Sequence, residues 1–206
     1  LSPSSAASDV YKRQFTYSKS LETITFPSTI TSFATDWFFI GSPELKEIKF
    51  SGDNPRYYID NGALYDSEKK QIMLCPAKRE YENGIFKIAD GTANISGYAF
   101  DGCNSLKKVI MPNSVSAIGD HAFSGCKNIS ELVVSENISS MTFDSLGGMA
   151  SLKSITIPKN VKGFYYNGKD VFTYLGYVGS EKIDGFTIKG YRNTEAEKYA
   201  NDNGFK

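Results

Sequence analysis

The segment AFDGCNSL at residues 99–106 returns as AFSGCKNI at residues 122–129, and this recurrence decides the fold. Every apolar or glycine position of the first segment comes back 23 residues later. A degenerate third copy, SLGGMASL at residues 145–152, keeps the same spacing. A fixed period of this length is typical of a solenoid, whose units bury their apolar side only by stacking on one another. The sequence therefore predicts a stack of coils of about 23 residues.

Each copy leads into a short predicted strand, LKKVIM at 106–111, ISELVV at 129–134 and LKSITI at 152–157. Apolar residues stand at the leading position and at the third and fifth positions after it. The last two alternate with polar residues at period two, so we expect them to point inward while the second and fourth positions point outward. Pro112 and Pro158 follow two of these strands, where a missing N–H group ends strand pairing.

The rest of each coil has its own apolar residues. Val115 and Ile118 recur 23 residues later as Ile138 and Met141. We expect these residues to line a return segment that is irregular or briefly helical. The phenylalanines of the repeat, Phe100 and Phe123, are expected to fill the space between the strand and the return segment.

The stretch from Ala99 to Gly119 spells almost completely the pattern A-F-x-G-C-x-x-L-x-x-V-x-I-P-x-x-V-x-x-I-G. This pattern resembles the BspA-type leucine-rich repeat of bacterial surface proteins. The resemblance implies a right-handed, β-rich leucine-rich repeat solenoid that serves in surface attachment or recognition and not in catalysis. It also implies a secreted or cell-surface location.

The N-terminal part follows the pattern less regularly. Residues 1–14 lack an initiating Met and an apolar core, so we interpret them as a non-native or disordered leader and leave them out of the fold. Leu21 and Leu45 begin two coils that are 24 residues apart, and we place the extra residue near Trp37. Ser42 takes the position of the repeat cysteine. We expect one leucine-rich repeat domain over residues 15–206, with N-terminal coils at 15–56 and regular coils at 86–162.

Two segments interrupt or close the repeat. Residues 57–85 contain Asn61-Gly62 between short apolar runs, which predicts an inserted β-hairpin that widens one edge of the solenoid. Residues 163–206 are predicted to be a C-terminal cap with a final strand near Phe186. In this cap Thr194 and Glu197 have the spacing of a capping box that opens a helix, and Gly204 ends it.

The composition gives no reason to expect nucleic acid or an anionic membrane as a partner. The chain has 206 residues, 23 basic and 23 acidic, so its formal net charge is +0. No apolar run approaches the roughly 18 residues of a membrane helix, so we expect no membrane insertion by this segment. We expect a monomer without a cofactor.

Catalytic and metal sites are not indicated. The single histidine, His121, stands beside Asp120, where a general base is conceivable, but we interpret it as a surface turn residue. One histidine and three widely spaced cysteines do not supply a zinc site. Cys103 and Cys126 occupy the same place in successive coils, about 5 Å apart. That distance admits a disulfide, although we favour free buried thiols.

The outward positions of the strands form the first candidate surface. Ile110 and Val133 are predicted to lie side by side as an exposed apolar pair flanked by charges, which suits the core of a protein interface; the alternative is that these residues only favour the strand. The predicted face is Glu47, Lys49, Lys108, Ile110, Glu131, Val133, Ser154 and Thr156.

The second candidate surface is an aromatic loop in the C-terminal cap. Tyrosines on an irregular loop can stack on sugar rings, although such residues also pack a loop onto the last coil. We therefore expect a non-enzymatic adhesion module that binds a host or neighbouring-cell protein through the sheet face. The alternatives are glycan binding through the aromatic loop and a spacer without a ligand. The aromatic loop is Tyr165, Tyr166, Tyr174 and Tyr177.

Overall fold

The computed structural model describes residues 16–33, 40–141, 144–161, 165–166, 169–170, 175–178 and 180–206. The predicted leader at residues 1–14, the extra residue near Trp37 and Tyr174 lie outside these ranges. In chain order the elements are β1 (Thr23–Phe26), β2 (Glu47–Phe50), β3 (Tyr57–Asp60), β4 (Ala63–Asp66), β5 (Gln71–Leu74), a 3-10 helix (Glu82–Gly84), β6 (Ile85–Lys87), β7 (Asn94–Ile95), β8 (Lys108–Ile110), β9 (Ala117–Ile118), β10 (Glu131–Val133), β11 (Ser140–Met141), β12 (Ser154–Thr156), β13 (Tyr165–Tyr166), β14 (Lys169–Asp170), β15 (Tyr177–Val178), β16 (Glu181–Lys182), β17 (Thr187–Lys189) and α1 (Glu195–Asn203).

The predicted strands stack in parallel with the register that the period requires. Strands β6, β8 and β10 pair so that Phe86, Val109 and Leu132 lie opposite one another, each 23 residues after the last. Strand β12 lies beside β10 and pairs in parallel with β17. We call these five strands the front sheet. Strands β1 and β2 form a separate parallel pair. The solenoid predicted from the repeat is therefore confirmed.

Burial along the front strands follows the predicted alternation. In the coil that begins at Leu106, the leading residue, Val109 and Met111 are buried, while Lys108 and Ile110 between them are partly exposed. The coil that begins at Leu152 repeats this order. A parallel stack buries one side of each strand completely, and each buried aliphatic side chain contributes about 1.5–3 kcal/mol.

The return segments differ from the prediction of irregular or helical structure. They contain the two-residue strands β7, β9 and β11, which pair in parallel and place Ile95 beside Ile118 and Ile118 beside Met141. Within the described ranges the helices are the 3-10 turn at Glu82–Gly84 and α1. The short strands arise because each return backbone bonds to the preceding coil, as in the hydrogen bond from Gly119 N to Ile95 O at 2.9 Å.

An aromatic stack fills the interior between the two sheets, as predicted for Phe100 and Phe123. Both rings are fully buried, and they lie parallel with centroids 4.8 Å apart. Phe86 of the preceding coil meets Phe100 edge to face at 5.6 Å. Such aromatic pairs add about 0.5–1.5 kcal/mol beyond the area that they bury.

A left-handed turn residue recurs in every regular coil. Gly102, Gly125 and Gly148 have φ values of 69°, 69° and 77°. The left-handed region costs other L-residues roughly 1–2 kcal/mol, which is why glycine occupies this position in the regular coils. The same position in the first coil is taken by Tyr17, with φ 59°.

The inserted hairpin lies within the predicted residues 57–85 and contains three antiparallel strands, β3, β4 and β5. Asn61 and Gly62, with φ values of 45° and 80°, make the tight turn between β3 and β4, and both values suit the turn type that Asn-Gly favours. Strand β4 pairs with β5, and β5 continues in parallel into β7. The hairpin therefore extends the return-side sheet.

The hairpin also divides the apolar interior, which the prediction of a widened edge did not foresee. All four residues of β4 are buried. Leu64 packs with Ile48 and other residues of the first two coils, whereas Tyr65 packs with Phe86 and the later coils. Alternate residues of a strand point to opposite faces, so β4 serves both apolar clusters.

The C-terminal cap contains the predicted strand and helix, but the capping box is wrong in detail. The Thr194 hydroxyl donates to Tyr191 O at 2.6 Å and does not accept from the first helical turn. Glu197 reaches back to the N–H of Asn193 at 2.7 Å, one residue earlier than predicted. Asn193 has a φ of 57°, and this left-handed turn aims its N–H at the helix. Gly204 ends α1 with φ 63°, as expected.

Phe123→Ala tests the aromatic stack. We expect the free energy of unfolding to fall by about 3–5 kcal/mol, because the change opens a cavity and removes the contact with Phe100. Urea denaturation measures this loss. Phe123→Leu is the matched control, since it keeps most of the volume and is expected to cost about half as much. Equal losses for the two variants would contradict a role for stacking and filling.

A buried ion pair anchors the base of the hairpin. Asp66 is 1% exposed, and one of its oxygens, Oδ2, accepts hydrogen bonds from Arg56 Nε at 3.1 Å and Nη2 at 2.8 Å. Its Oδ1 accepts from the N–H groups of Glu68 and Lys69. Burial alone would raise the pKa of Asp66, but the hydrogen bonds from Arg56 and these backbone groups outweigh it and lower the pKa below its ordinary value.

This ion pair predicts a pH dependence of stability. A carboxylate with a lowered folded pKa stabilises the fold above its unfolded pKa of about 3.9 and loses that contribution as the pH falls through the folded value. We expect Asp66→Asn to lower the free energy of unfolding by about 3 kcal/mol at pH 7, with the difference from wild type shrinking below about pH 4.

Denaturant unfolding between pH 7 and pH 2.5 measures this difference. Glu68→Gln is the control, because Glu68 contacts the same Arg56 at 3.1 Å but its side chain is largely exposed. We expect less than about 1 kcal/mol for that variant. A difference in the free energy of unfolding between wild type and Asp66→Asn that does not change between pH 7 and pH 2.5 would contradict a stabilising role for ionised Asp66.

Candidate binding face

The outward residues of the front sheet form two straight rows. The first row runs from Ile85 through Lys108 to Glu131, and the second runs from Lys87 through Ile110 to Val133. The rows continue on β12 with Ser154 and Thr156 and on β17 with Thr187 and Lys189. Strands β6, β8 and β10 form one hydrogen-bonded sheet and β12 and β17 form another, with β12 next to β10. Paired strands lie about 4.8 Å apart. We call the outward side of the front sheet the front face.

Six of the eight residues predicted for the sheet face lie on this front face, and two do not. Glu47 and Lys49 belong to β2, whose sheet contains only β1 and β2. They form an ion pair with each other at 2.8 Å. The inserted hairpin and the following 3-10 turn come between β2 and β6 in the chain, so the front sheet begins anew at β6. The eight predicted residues therefore lie on three hydrogen-bonded sheets, β1–β2, β6–β8–β10 and β12–β17.

The sequence prediction missed four residues of the front face: Ile85, Lys87, Thr187 and Lys189. The period contains the signal for the first two, since Lys108 and Ile110 follow them by 23 residues. Asn83 replaces the leading leucine of that coil and has a φ of 54°, which hides the repeat. Thr187 and Lys189 are separated from β12 by a longer insertion, so no fixed spacing indicates them.

Aliphatic and charged side chains alternate on the front face. Ile85 is 43% exposed and Val133 is 39% exposed. Val133 lies directly beside Ile110, as predicted. Next to this apolar pair, Lys108 Nζ lies 2.5 Å from Glu131 Oε1 in an ion pair across the two strands. An apolar centre with a charged edge is the usual composition of a protein interface.

The aromatic loop is described only in part. Tyr165 and Tyr166 form β13, which pairs with β14, and Tyr174 lies outside the described residues. Tyr177 packs against the fold: its ring meets Phe205 edge to face at 5.5 Å, and its hydroxyl lies 3.3 Å from Asn203 Oδ1. Tyr177 therefore connects the loop to the end of α1.

His121 lies in a turn, as predicted, but its side chain also makes contacts with the neighbouring coils. Its side chain is 27% exposed, and Nδ1 lies 3.2 Å from Asp144 Oδ2 in the next coil. On the other side its ring packs on Tyr98 of the preceding coil at 5.1 Å. Burial raises the pKa of the Asp144 carboxyl, and the histidine opposes that rise. This chain of contacts joins three coils at equivalent left-handed positions.

The three cysteines are fully buried free thiols, which confirms the favoured prediction. Cys126 Sγ donates to Phe100 O at 2.9 Å, and Cys103 Sγ donates to Cys75 O at 3.3 Å. Cys75 thus extends the column of cysteines by one coil, which the sequence did not indicate. Burial raises the pKa of the Cys103 and Cys126 thiols, so neither is a nucleophile near neutral pH.

Neither a metal-ligand cluster nor a membrane-spanning helix occurs among the described residues. No group of three or more His, Cys, Asp or Glu side chains there is arranged to hold a metal ion. Among the helices of the described part, none has the length and apolar content needed to cross a membrane.

Comparison with known proteins agrees with this architecture. The family model of the BspA type leucine rich repeat region matches residues 2–90 and 80–176, with six copies. No curated protein matches the chain.

Several solved structures share the fold. A leucine rich cell surface protein from Faecalibacterium prausnitzii is 24% identical, with a TM-score of 0.70 over 87% of this chain and 50% of that one. The pneumococcal vaccine antigen PcpA is 18% identical, with a TM-score of 0.66 over 90% of this chain and 54% of that one. A leucine-rich repeat protein from Bacteroides capillosus is 20% identical, with a TM-score of 0.51 over 66% of this chain and 98% of that one. The chain thus spans about half the length of the first two.

Thiol reactivity tests the inert cysteine column. We expect the native protein at pH 8 to leave all three thiols unreacted with Ellman's reagent over minutes, and guanidinium chloride to release three equivalents. Thr156→Cys is the control, because an exposed thiol at that front-face position should add one fast equivalent. Fast reaction of any thiol in native wild-type protein would contradict the burial and raised pKa values.

Proposed function

The chain belongs to the BspA-type leucine-rich repeat family, and we propose that it is a non-enzymatic binding module, exported and displayed on a bacterial surface, which recognises a protein ligand through the front face. The observation that carries the proposal is the aliphatic pair of partly exposed Ile110 and exposed Val133 on two neighbouring strands. Solenoids commonly bind partners along such extended faces.

The rigidity of this face favours binding. Ile110 stands on β8, which pairs with β6 and β10 on its two sides, and Val133 stands on β10, which pairs with β8; Met111 N donates to Val133 O at 3.0 Å. A ligand therefore has little backbone entropy to remove, and pre-organised surfaces lose less free energy on association. A protein partner fits better than a sugar because aliphatic side chains need an apolar surface to cover them.

The proposed location at the cell surface is supported by a relative of the same fold. One structure of the same fold is described as a cell surface protein, at 24% identity. Display outside the cell is also consistent with a surface built for recognition rather than for chemistry. Enzymatic activity is not part of the proposal, because the only histidine serves as a contact between coils and the cysteines are buried.

Direct binding to an array of extracellular-matrix and mucosal proteins, beside a glycan array, tests the function. We expect saturable binding to at least one protein, and a loss of at least about 30-fold in affinity for Ile110→Asp combined with Val133→Asp, as for the central residues of an interface. The matched control is Thr23→Asp with Thr25→Asp, which adds the same charge to exposed positions of β1. Circular dichroism checks that both variants fold.

Three outcomes would overturn the proposal. Protein binding that survives the Ile110 and Val133 changes would place the interface elsewhere. Binding to glycans alone would favour the aromatic loop with Tyr165, Tyr166 and Tyr174 as the site. The absence of any ligand would favour a spacer.

A further inference from the structure

The front face carries an excess of positive charge that the rest of the protein balances. The outward positions of the front sheet, together with the exposed residue just before β8 and just before β12, hold five lysines and one glutamate. Only Lys108 is paired with that glutamate, and Lys87 has a loose contact with Asp90 at 3.5 Å. In the described part of the chain, no ion pair joins Lys107, Lys153 or Lys189 to an acidic side chain. The five lysines and the glutamate are Lys87, Lys107, Lys108, Lys153, Lys189 and Glu131.

The corresponding positions on β1 and β2 show that this excess is local. There Lys46 pairs with Glu22 at 2.9 Å and Lys49 pairs with Glu47 at 2.8 Å, so each cation has its own anion. The whole chain has a formal net charge of +0. Two sheets of one solenoid therefore carry different charge on the same side of the coil, and stacking alone does not require this difference.

The lysines surround the aliphatic residues and do not form a separate patch. In the second row Lys87 precedes Ile110 and Val133, and Lys189 ends the row on β17. In the first row Ile85 lies beside Lys108. A ligand that covers this face must therefore present carboxylates and apolar side chains within a few ångströms of one another.

We infer that the front face docks an acidic polypeptide segment in which Glu or Asp alternates with aliphatic residues. The inference rests on the proposed function and names the chemistry of the partner. A sulfated polysaccharide would neutralise the lysines but would leave Ile85, Ile110 and Val133 without an apolar partner. Complementary charge also accelerates encounter and gives the contact a marked salt dependence.

Fluorescence anisotropy with labelled peptides of 12 residues tests the inference on the full chain. The probe alternates Glu with Val, and the comparison probes alternate Gln with Val, Glu with Ser and Lys with Val; heparin serves as a polyanion without apolar groups. We expect the Glu–Val peptide to bind at least about tenfold more tightly than each comparison probe. Its affinity is expected to fall about tenfold between 50 and 300 mM NaCl.

Charge reversal on the protein supplies the second arm. Lys107→Glu with Lys153→Glu is expected to weaken Glu–Val binding at least about tenfold and to strengthen Lys–Val binding. Lys19→Glu with Lys159→Glu is the matched control, since it makes the same change at exposed positions outside the front face. We expect the control to bind within about twofold of wild type.

Failure of this inference is distinguishable from failure of the proposed function. If heparin or the Glu–Ser peptide binds as tightly as the Glu–Val peptide, the face is a general polyanion site and the inference is wrong. It is also wrong if the Glu–Val peptide does not bind. If the protein ligand found on the array is lost with Ile110→Asp and Val133→Asp but unaffected by the Lys107 and Lys153 reversal, the proposed function stands and the acidic partner does not.

Discussion

Backbone hydrogen bonds between successive coils are the constraint on which the rest of the structure depends. On the front side Met111 N donates to Val133 O at 3.0 Å, and on the return side Gly119 N donates to Ile95 O at 2.9 Å. Both bonds join equivalent places in neighbouring coils, so a coil cannot change its length between the two sheets without breaking one ladder. The aromatic stack, the cysteine column and the rows of the front face are consequences of this fixed register, because each places one residue per coil above the last.

The hairpin shows how the fold accommodates a departure from that register. Within residues 57–74, β3, β4 and β5 pair with one another, and β5 then rejoins the return-side ladder through β7. The insertion remains compatible with a dry interior because β4 buries both of its faces and the Arg56–Asp66 pair closes its base. The front ladder has no comparable repair, since β2 and β6 belong to separate sheets. The interruption therefore falls on the side of the coil where binding is proposed.

The sequence predicts the fold wherever the period is visible and fails where a local interaction replaces it. Alternation around Val109 and Leu132 indicates the inward residues correctly, because a strand offers only two faces. Ile85 and Lys87 were not assigned to the sheet face because Asn83 stands in place of the leading leucine of that coil. The capping box was misassigned because Asn193 adopts a left-handed turn. Asp144, which pairs with His121, lies 23 residues away along the chain, and only the stacking of coils brings the two together. Charge pairing on the front face depends in the same way on which coils are neighbours.

The repeat separates the residues that hold the fold from those that meet a partner. The third and fifth positions of each strand, such as Val109 and Met111, are buried in the stack and tolerate only apolar side chains of suitable volume. The second and fourth positions contact solvent, and surface substitutions there change stability by only a few tenths of a kcal/mol, about ±0.5. Lysine at Lys87 and Lys189 is thus not demanded by folding, nor is an exposed isoleucine at Ile85. A surface on which folding places so little demand, and which nevertheless combines unpaired cations with exposed aliphatic groups, is best explained by a partner that uses both.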